Sequence, residues 1–159
     1  MITFMNRNLK VFFRDRASVF FSLLAVFIII GLYVLFLGDV WVGGMEDITG
    51  ARQLMDSWLI SGLLAVTSVT TTLGAFGILV DDRVKKIDKD FYAAPIKRSS
   101  ITAGYLVSVF LIGIIMSLVT LVLAEIYFVV NGGELLGIAA AGKVLGLIVL
   151  ACLSNTAMM

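Results

Sequence analysis

The sequence predicts an all-α membrane protein, a polytopic bundle of about four transmembrane helices with an N-terminal interfacial amphipathic helix and a short helix in its central loop. Three observations lead there. Of 159 residues, 60% are hydrophobic and only 14% charged, against about 25% charged in an ordinary soluble domain. Mean hydropathy is +1.08, and the apolar residues are gathered in long uncharged blocks that water could not be kept from. The cations between those blocks fall almost entirely at alternate junctions, the signature of a chain threaded back and forth through a bilayer.

Residues 1–16 open the chain. Ile2, Met5, Leu9 and Phe12 follow helical spacing while Arg7, Lys10 and Arg14 share another face. A basic amphipathic helix lying on a membrane surface has this form; the plainer reading is a positive lead-in to the first span. Residues 17–37 follow, 21 without a charge, or about 31 Å as a helix and enough for the hydrocarbon core. The run is too long for a signal-peptide core and lacks a small-x-small cleavage site.

Residues 38–57 form an acidic loop containing Asp39, Glu46, Asp47 and Asp56 against Arg52. A second span, 58–80, carries Thr67, Ser68, Thr70, Thr71 and Thr72 at its middle. The loop 81–100 is the most charged segment. Residues 101–130 are a third span, longer than the hydrocarbon needs and broken only by Glu125. A glycine-rich turn and short loop, 131–143, lead to an uncharged run at 144–159, which is expected to be a truncated fourth span.

Orientation follows from the cations. Ten of twelve lie in the leader (Arg7, Lys10, Arg14, Arg16) and the 81–100 loop (Arg83, Lys85, Lys86, Lys89, Lys97, Arg98), leaving Arg52 and Lys143 on the other side. The positive-inside rule places the N-terminus and the central loop in the cytoplasm, with the chain in the inner membrane. Trp41, Trp58 and Tyr127 would then mark the outer interface and Phe12, Phe13 and Tyr105 the inner one.

Several functions are disfavoured. A net charge of +1 argues against a nucleic-acid partner. Histidine is absent, which removes the commonest general base and metal ligand, and Cys152 is the single cysteine. No catalytic, cofactor-binding or metal residues are expected. The stretch from Gly137 to Lys143 has the G-x-x-x-x-G-K spacing of a phosphate loop, but Val144 stands where Ser or Thr must hold magnesium, and no strand precedes it. Gly133/Gly137 and Gly142/Gly146 instead read as two G-x-x-x-G helix-packing pairs.

Three patterns remain open. Thr67, Ser68, Thr71 and Thr72 either return their hydroxyls to the backbone and glue helices together, or line a translocation path. Glu125 is an intramembrane acid with a proton or ion role, or an interfacial one near the end of its helix. In the central loop, Val84, Ile87, Phe91 and Ala94 form an apolar stripe, with Asp81/Lys85 and Asp82/Lys86 as i, i+4 pairs and Pro95 as terminator. This specifies a short amphipathic helix, either a docking surface or a solvated connector.

The leader around Phe12-Phe13-Arg14-Asp15-Arg16-Ala17-Ser18, the loop Asp90-Phe91-Tyr92-Ala93-Ala94-Pro95-Ile96-Lys97-Arg98 and the ending Ser154-Asn155-Thr156 resemble the permease subunits of type-2 ABC exporters. That resemblance runs along essentially the whole chain. It implies an N-terminal connector helix, a coupling helix bearing Val84, Ile87, Phe91, Tyr92 and Pro95 that meets a separate ATPase subunit, a second permease copy or half, and six spans, of which the last two are not found here. The expected function is that of a permease for ATP-driven export, with hydrolysis on the partner. A small membrane scaffold without transport activity is the rival, and an intramembrane enzyme a weak third, since no nucleophile–base pair stands out.

Overall fold

The computed structural model describes residues 2–37, 40, 51–87, 89, 91, 97–130 and 138–158. Among them are five α-helices, one π-helical turn and no strand. We label the helices α1 (Ile2–Arg14), α2 (Arg16–Leu32), α3 (Ala51–Val84), α4 (Arg98–Val130) and α5 (Ile138–Met158). The turn Tyr33–Leu37 continues α2 directly.

Three helices are long and apolar enough to cross a membrane: Leu54–Val84, Arg98–Tyr127 and Ala140–Met158. The count rises to four if α1 and α2, which meet at 69°, are taken as one bent span. Outward faces are as apolar as the interior. Phe21, Leu147, Leu150 and Leu153 are all exposed, an arrangement that lipid tolerates and water does not.

The bend has a local cause. Asp15 leaves helical geometry with a ψ of 89°, and its carboxylate accepts hydrogen bonds from the Ala17 and Ser18 amides at 3.1 and 3.3 Å and from the Ser18 hydroxyl at 2.6 Å. It therefore caps α2 and satisfies donors that a helix start would leave bare. Those same hydrogen bonds hold the Asp15 carboxyl below the usual carboxylate range.

The far end of α3 is also defined locally, and it corrects one expectation. Asp81 and Asp82 do not open a separate loop helix; they lie in the last turn of α3, which runs to Val84. Ile87 N–H donates to the Asp82 carbonyl at 2.9 Å and Lys86 N–H to the Arg83 carbonyl at 3.1 Å. Lys86 has a φ of 60°. This is a Schellman stop with lysine in the left-handed position that glycine usually fills. Helical geometry is thus interrupted at Lys85–Ile87 and resumes at Lys89 and Phe91, so Val84 and Phe91 do not share one continuous helix face.

Packing is centred on α3 and α4. Phe12 of α1 joins Ala75, Val109, Ile112 and Met116 in the main apolar cluster, and Ile60 with Ala124 forms a smaller one farther along. Between them runs a hydroxyl seam. Thr67, Ser68, Thr71 and Thr72 are buried, and their hydroxyls donate to the carbonyls of Leu63, Ala65, Thr67 and Ser68 in turn. Ser108 and Thr120 of α4 do the same toward Gly104 and Met116. A hydroxyl that satisfies itself on its own helix can be buried in an apolar medium without penalty from an unmade bond. No buried side-chain nitrogen or oxygen among the described residues lacks a partner.

Close approach of the helices occurs at a glycine that the sequence pattern did not single out. A Cβ on Gly113 of α4 would lie 3.2 Å from Cys152 Sγ of α5 and 3.3 Å from Thr72 Cγ2 of α3. Around Gly142 and Gly146 nothing lies within 4 Å of such a Cβ, so among the described residues this G-x-x-x-G pair does not mediate packing. Gly133 and Gly137 lie outside the described residues. Gly113→Val should therefore destabilise the bundle by about 1–3 kcal/mol through overpacking. Gly142→Ala should be neutral or stabilising by up to about 1 kcal/mol. Unfolding of both variants in mild detergent checks the contrast.

Candidate functional site

At the end of the bundle that carries most of the cations, α1 is fastened to α3 and α4 by a buried polar cluster. Arg7 donates twice to Asp82, from Nη1 to Oδ2 at 2.8 Å and from Nη2 to Oδ1 at 2.9 Å. The fork matches both carboxylate oxygens, the strongest geometry available to this pair. Tyr105 of α4 donates its hydroxyl to Asp82 Oδ2 at 2.6 Å. Asp82, 4% exposed, thus has its charge answered by a guanidinium from α1 and a phenol from α4, which is what makes burial of a carboxylate tolerable.

Asn8 extends the cluster. It accepts from Arg7 Nη1 at 3.0 Å and donates from Nδ2 to Ser108 Oγ at 3.3 Å. Phe4 closes the inner side: its ring meets Tyr105 edge-on at 4.8 Å and lies so close to Gly104 that a Cβ there would come within 2.7 Å of Phe4 Cδ1. Phe91, from the loop between α3 and α4, stands edge-on to Phe4 at 5.0 Å, with the Arg7 guanidinium 5.1 Å above its ring. Its aromatic face adds cation–π attraction to the ion pair.

A second tie of the same chemistry exists at the opposite end. Tyr33 donates to Asp56 Oδ1 at 2.7 Å in a buried contact between the end of α2 and the start of α3. An apolar cavity of about 360 Å³ lies beside it, with Tyr33, Met55, Trp58 and Gly62 on its walls. Helix α3 therefore carries a buried carboxylate near each end, each held by a tyrosine from a neighbouring helix.

The residues expected to form a docking stripe are dispersed. Val84 ends α3 and is 74% exposed, Ile87 is half-buried past the Schellman stop, and Phe91 is half-buried against Phe4 and Arg7. Tyr92 and Pro95 lie outside the described residues. Thr67, Ser68, Thr71 and Thr72 are brought together, but into the contact of α3 with its neighbours. Asn155 of α5 donates to Ser68 Oγ at 3.1 Å, and Thr72 lies against the backbone at Gly113. The Lys85–Asp81 pair forms as its spacing predicts, at 3.3 Å and exposed. Asp82 does not follow its expected pairing with Lys86, because Arg7 and Tyr105 occupy its carboxylate. Glu125 is half-buried in the final third of α4.

Sequence reasoning missed Phe4, Arg7, Asn8, Gly104, Asp82 and Tyr105 as a set. One signal was available: Asn8 is a polar residue set between Phe4 and Phe12, one turn from each, on the buried side of α1. No group of three or more metal-ligating acids, cysteines or histidines occurs among the described residues. The cleft of about 390 Å³ between the α1–α2 elbow and the end of α3 is walled by both signs of charge, Asp15, Asp81 and Asp82 with Arg7 and Lys85. What this arrangement can do is mechanical: it ties α1, two long helices and a loop aromatic around one carboxylate.

No protein-family model, curated protein or solved structure matches the chain.

Loss of the ion pair should be costly and shared between its partners. Arg7→Gln should destabilise the bundle by about 2 kcal/mol, since it leaves the buried Asp82 carboxylate unanswered, and Asp82→Asn by less, because the Arg7 side chain is 31% exposed. The double variant should lose clearly less than the sum, a coupling that a double-mutant cycle in detergent measures directly.

Proposed function

We propose that the chain is a membrane-spanning permease subunit of an ATP-driven exporter of the type-2 ABC class, with hydrolysis carried out by a separate ATPase subunit and a second permease copy or half opposite it. In this reading α2 with its π-helical turn is the first of four spans, α3, α4 and α5 are the others, and α1 is a connector helix on the cytoplasmic surface of the inner membrane.

The observation that carries the reading is the meeting of Phe91 and Arg7 at Asp82. A permease must convert movement of a partner against its cytoplasmic loop into movement of its spans. Here the loop aromatic rests on Phe4 and beneath Arg7, while Arg7 grips α3 and, through the shared Asp82, α4. A displacement of the loop would reach α1 and two long helices together. The ATPase contact is best served by Val84, whose side chain is free at the end of α3, with Ile87 beside it; Phe91 acts behind it as the relay.

A scaffold function is favoured by a different observation, the burial of Thr67, Ser68, Thr71 and Thr72 in helix contacts. Under the permease reading, the Asn155–Ser68 bond must open before that strip can face a path. Under the scaffold reading it never opens.

Topology separates these readings from any in which the basic end faces outward. A cysteine at Ser57 should react with an impermeant thiol reagent in intact cells, and one at Lys89 only after the membrane is opened.

The partner assignment is tested by capture of an ATPase bearing a complete phosphate loop. Val84→Asp should weaken its co-purification by about 2 kcal/mol, the scale of a central apolar contact. Phe91→Ala should leave the ATPase bound and abolish the response of its hydrolysis to transported substrate in liposomes. Lys85→Ala and Lys89→Ala should change neither. If the intact chain captures no ATPase, the scaffold reading stands.

A further inference from the structure

The outer side of α1 carries an arrangement that the clamp does not use. Thr3, Asn6, Arg7, Lys10 and Arg14 share one face of the helix and line a shallow cavity of about 460 Å³. The helix contains no acidic residue. Asp15, immediately after it, is engaged as the cap of α2. Among the described residues neither Lys10 nor Arg14 is in an ion pair, so these two present positive charge without a described counterion.

The neighbouring edges of the same helix are apolar. Ile2 is 73% exposed, and Val11 and Phe13 are each 40% exposed. Because α1 leaves α2 at 69°, a spanning α2 lays α1 close to the membrane plane. One of the two apolar edges that flank the cationic face then meets acyl chains, and the cationic face meets the headgroup layer, where Lys and Arg attract anionic lipid. Arg7 belongs to both regions. Of its five N–H donors, three are spent on Asp82 and Asn8, and its side chain is still 31% exposed.

We propose that this face of α1 seats the headgroup of an anionic phospholipid, its phosphate held by Lys10 and Arg14 with Thr3 and Asn6 as further donors, and that Arg7 bridges the headgroup to Asp82. The inference rests on the reading of α2 as a span, but not on any ATPase or transported substrate. A bound headgroup adds a second anion to the guanidinium and so fixes α1 on the bundle more firmly. Phosphatidylcholine, whose headgroup has no net charge, lacks the attraction that selects the site.

The test places the intact chain in nanodiscs of phosphatidylcholine mixed with phosphatidylglycerol and counts, by native mass spectrometry, the lipids retained after detergent extraction. The wild-type chain should retain phosphatidylglycerol in preference. Lys10→Gln with Arg14→Gln should lower that preference about 25-fold, at roughly five-fold per cation near the surface. An equal change of charge at Lys97→Gln with Arg98→Gln should lower it far less. Lys10→Arg with Arg14→Lys preserves the charge and should keep the preference. Equal loss from both glutamine pairs means diffuse attraction and overturns the seat. Equal retention of the two lipids by the wild-type chain overturns it as well, as does loss of preference in the charge-preserving pair. Failure of the chain to enter nanodiscs at all would instead remove the membrane reading beneath it.

Discussion

A single carboxylate organises one end of this bundle. Asp82 is nearly sealed from solvent, and it is stable there because Arg7 and Tyr105 answer it from two other helices. Remove it and α1 keeps the Asn8–Ser108 hydrogen bond and its apolar contacts through Phe4 and Phe12, while Tyr105 and Arg7 lose the acceptor that orients them. In a medium with little water an unanswered ion is far more costly than a lost van der Waals contact. The position of α1 is therefore set by charge, and its apolar packing follows.

The rest of the interior avoids that kind of dependence. The seam hydroxyls of α3 and α4 donate back to their own helices, so neighbouring helices can meet there without being locked by direct bonds. Among the described residues, side-chain bonds between helices are found in the Arg7 cluster, in the Tyr33–Asp56 tie, and along α5, where Asn155 meets Ser68 and Cys152 meets Ser117. The result is a bundle tied near its ends and along α5, with self-contained surfaces between. That distribution suits helices that slide or part at mid-height while their ends stay registered, and it equally suits a static assembly.

Much of the architecture was legible because bilayer physics acts on segments. Long uncharged runs gave helices, and Pro95, the glycines and the charge runs marked their separations. The site was less legible because it depends on pairs distant in sequence. Asp82 had a plausible local partner in Lys86, four residues on, and nothing in the spacing announces that Arg7, 75 residues earlier, takes its place. Lys86 hid the end of α3 in the same way, since a left-handed stop is normally written with glycine. The G-x-x-x-G pattern at Gly142 and Gly146 pointed to packing that is not made among the described residues, whereas Gly113, which pairs with Ser117 only in the looser small-x-x-x-small pattern, lies between α3 and α5. Whether a small residue is an interface depends on which face it shares with its neighbours, and a four-residue period alone does not specify that.

The separation of Arg7 from Asp82 also has a consequence for assembly in time. Arg7 leaves the ribosome 75 residues before its acceptor, and at ordinary rates of synthesis that is an interval of about 4–15 s. Tyr105 follows 23 residues later still. Throughout that interval Arg7 is without the carboxylate that holds it in the folded bundle. The helix that carries Arg7 is thus made well before the end of α3 to which it is tied, and the pairing closes only once Asp82 has been added.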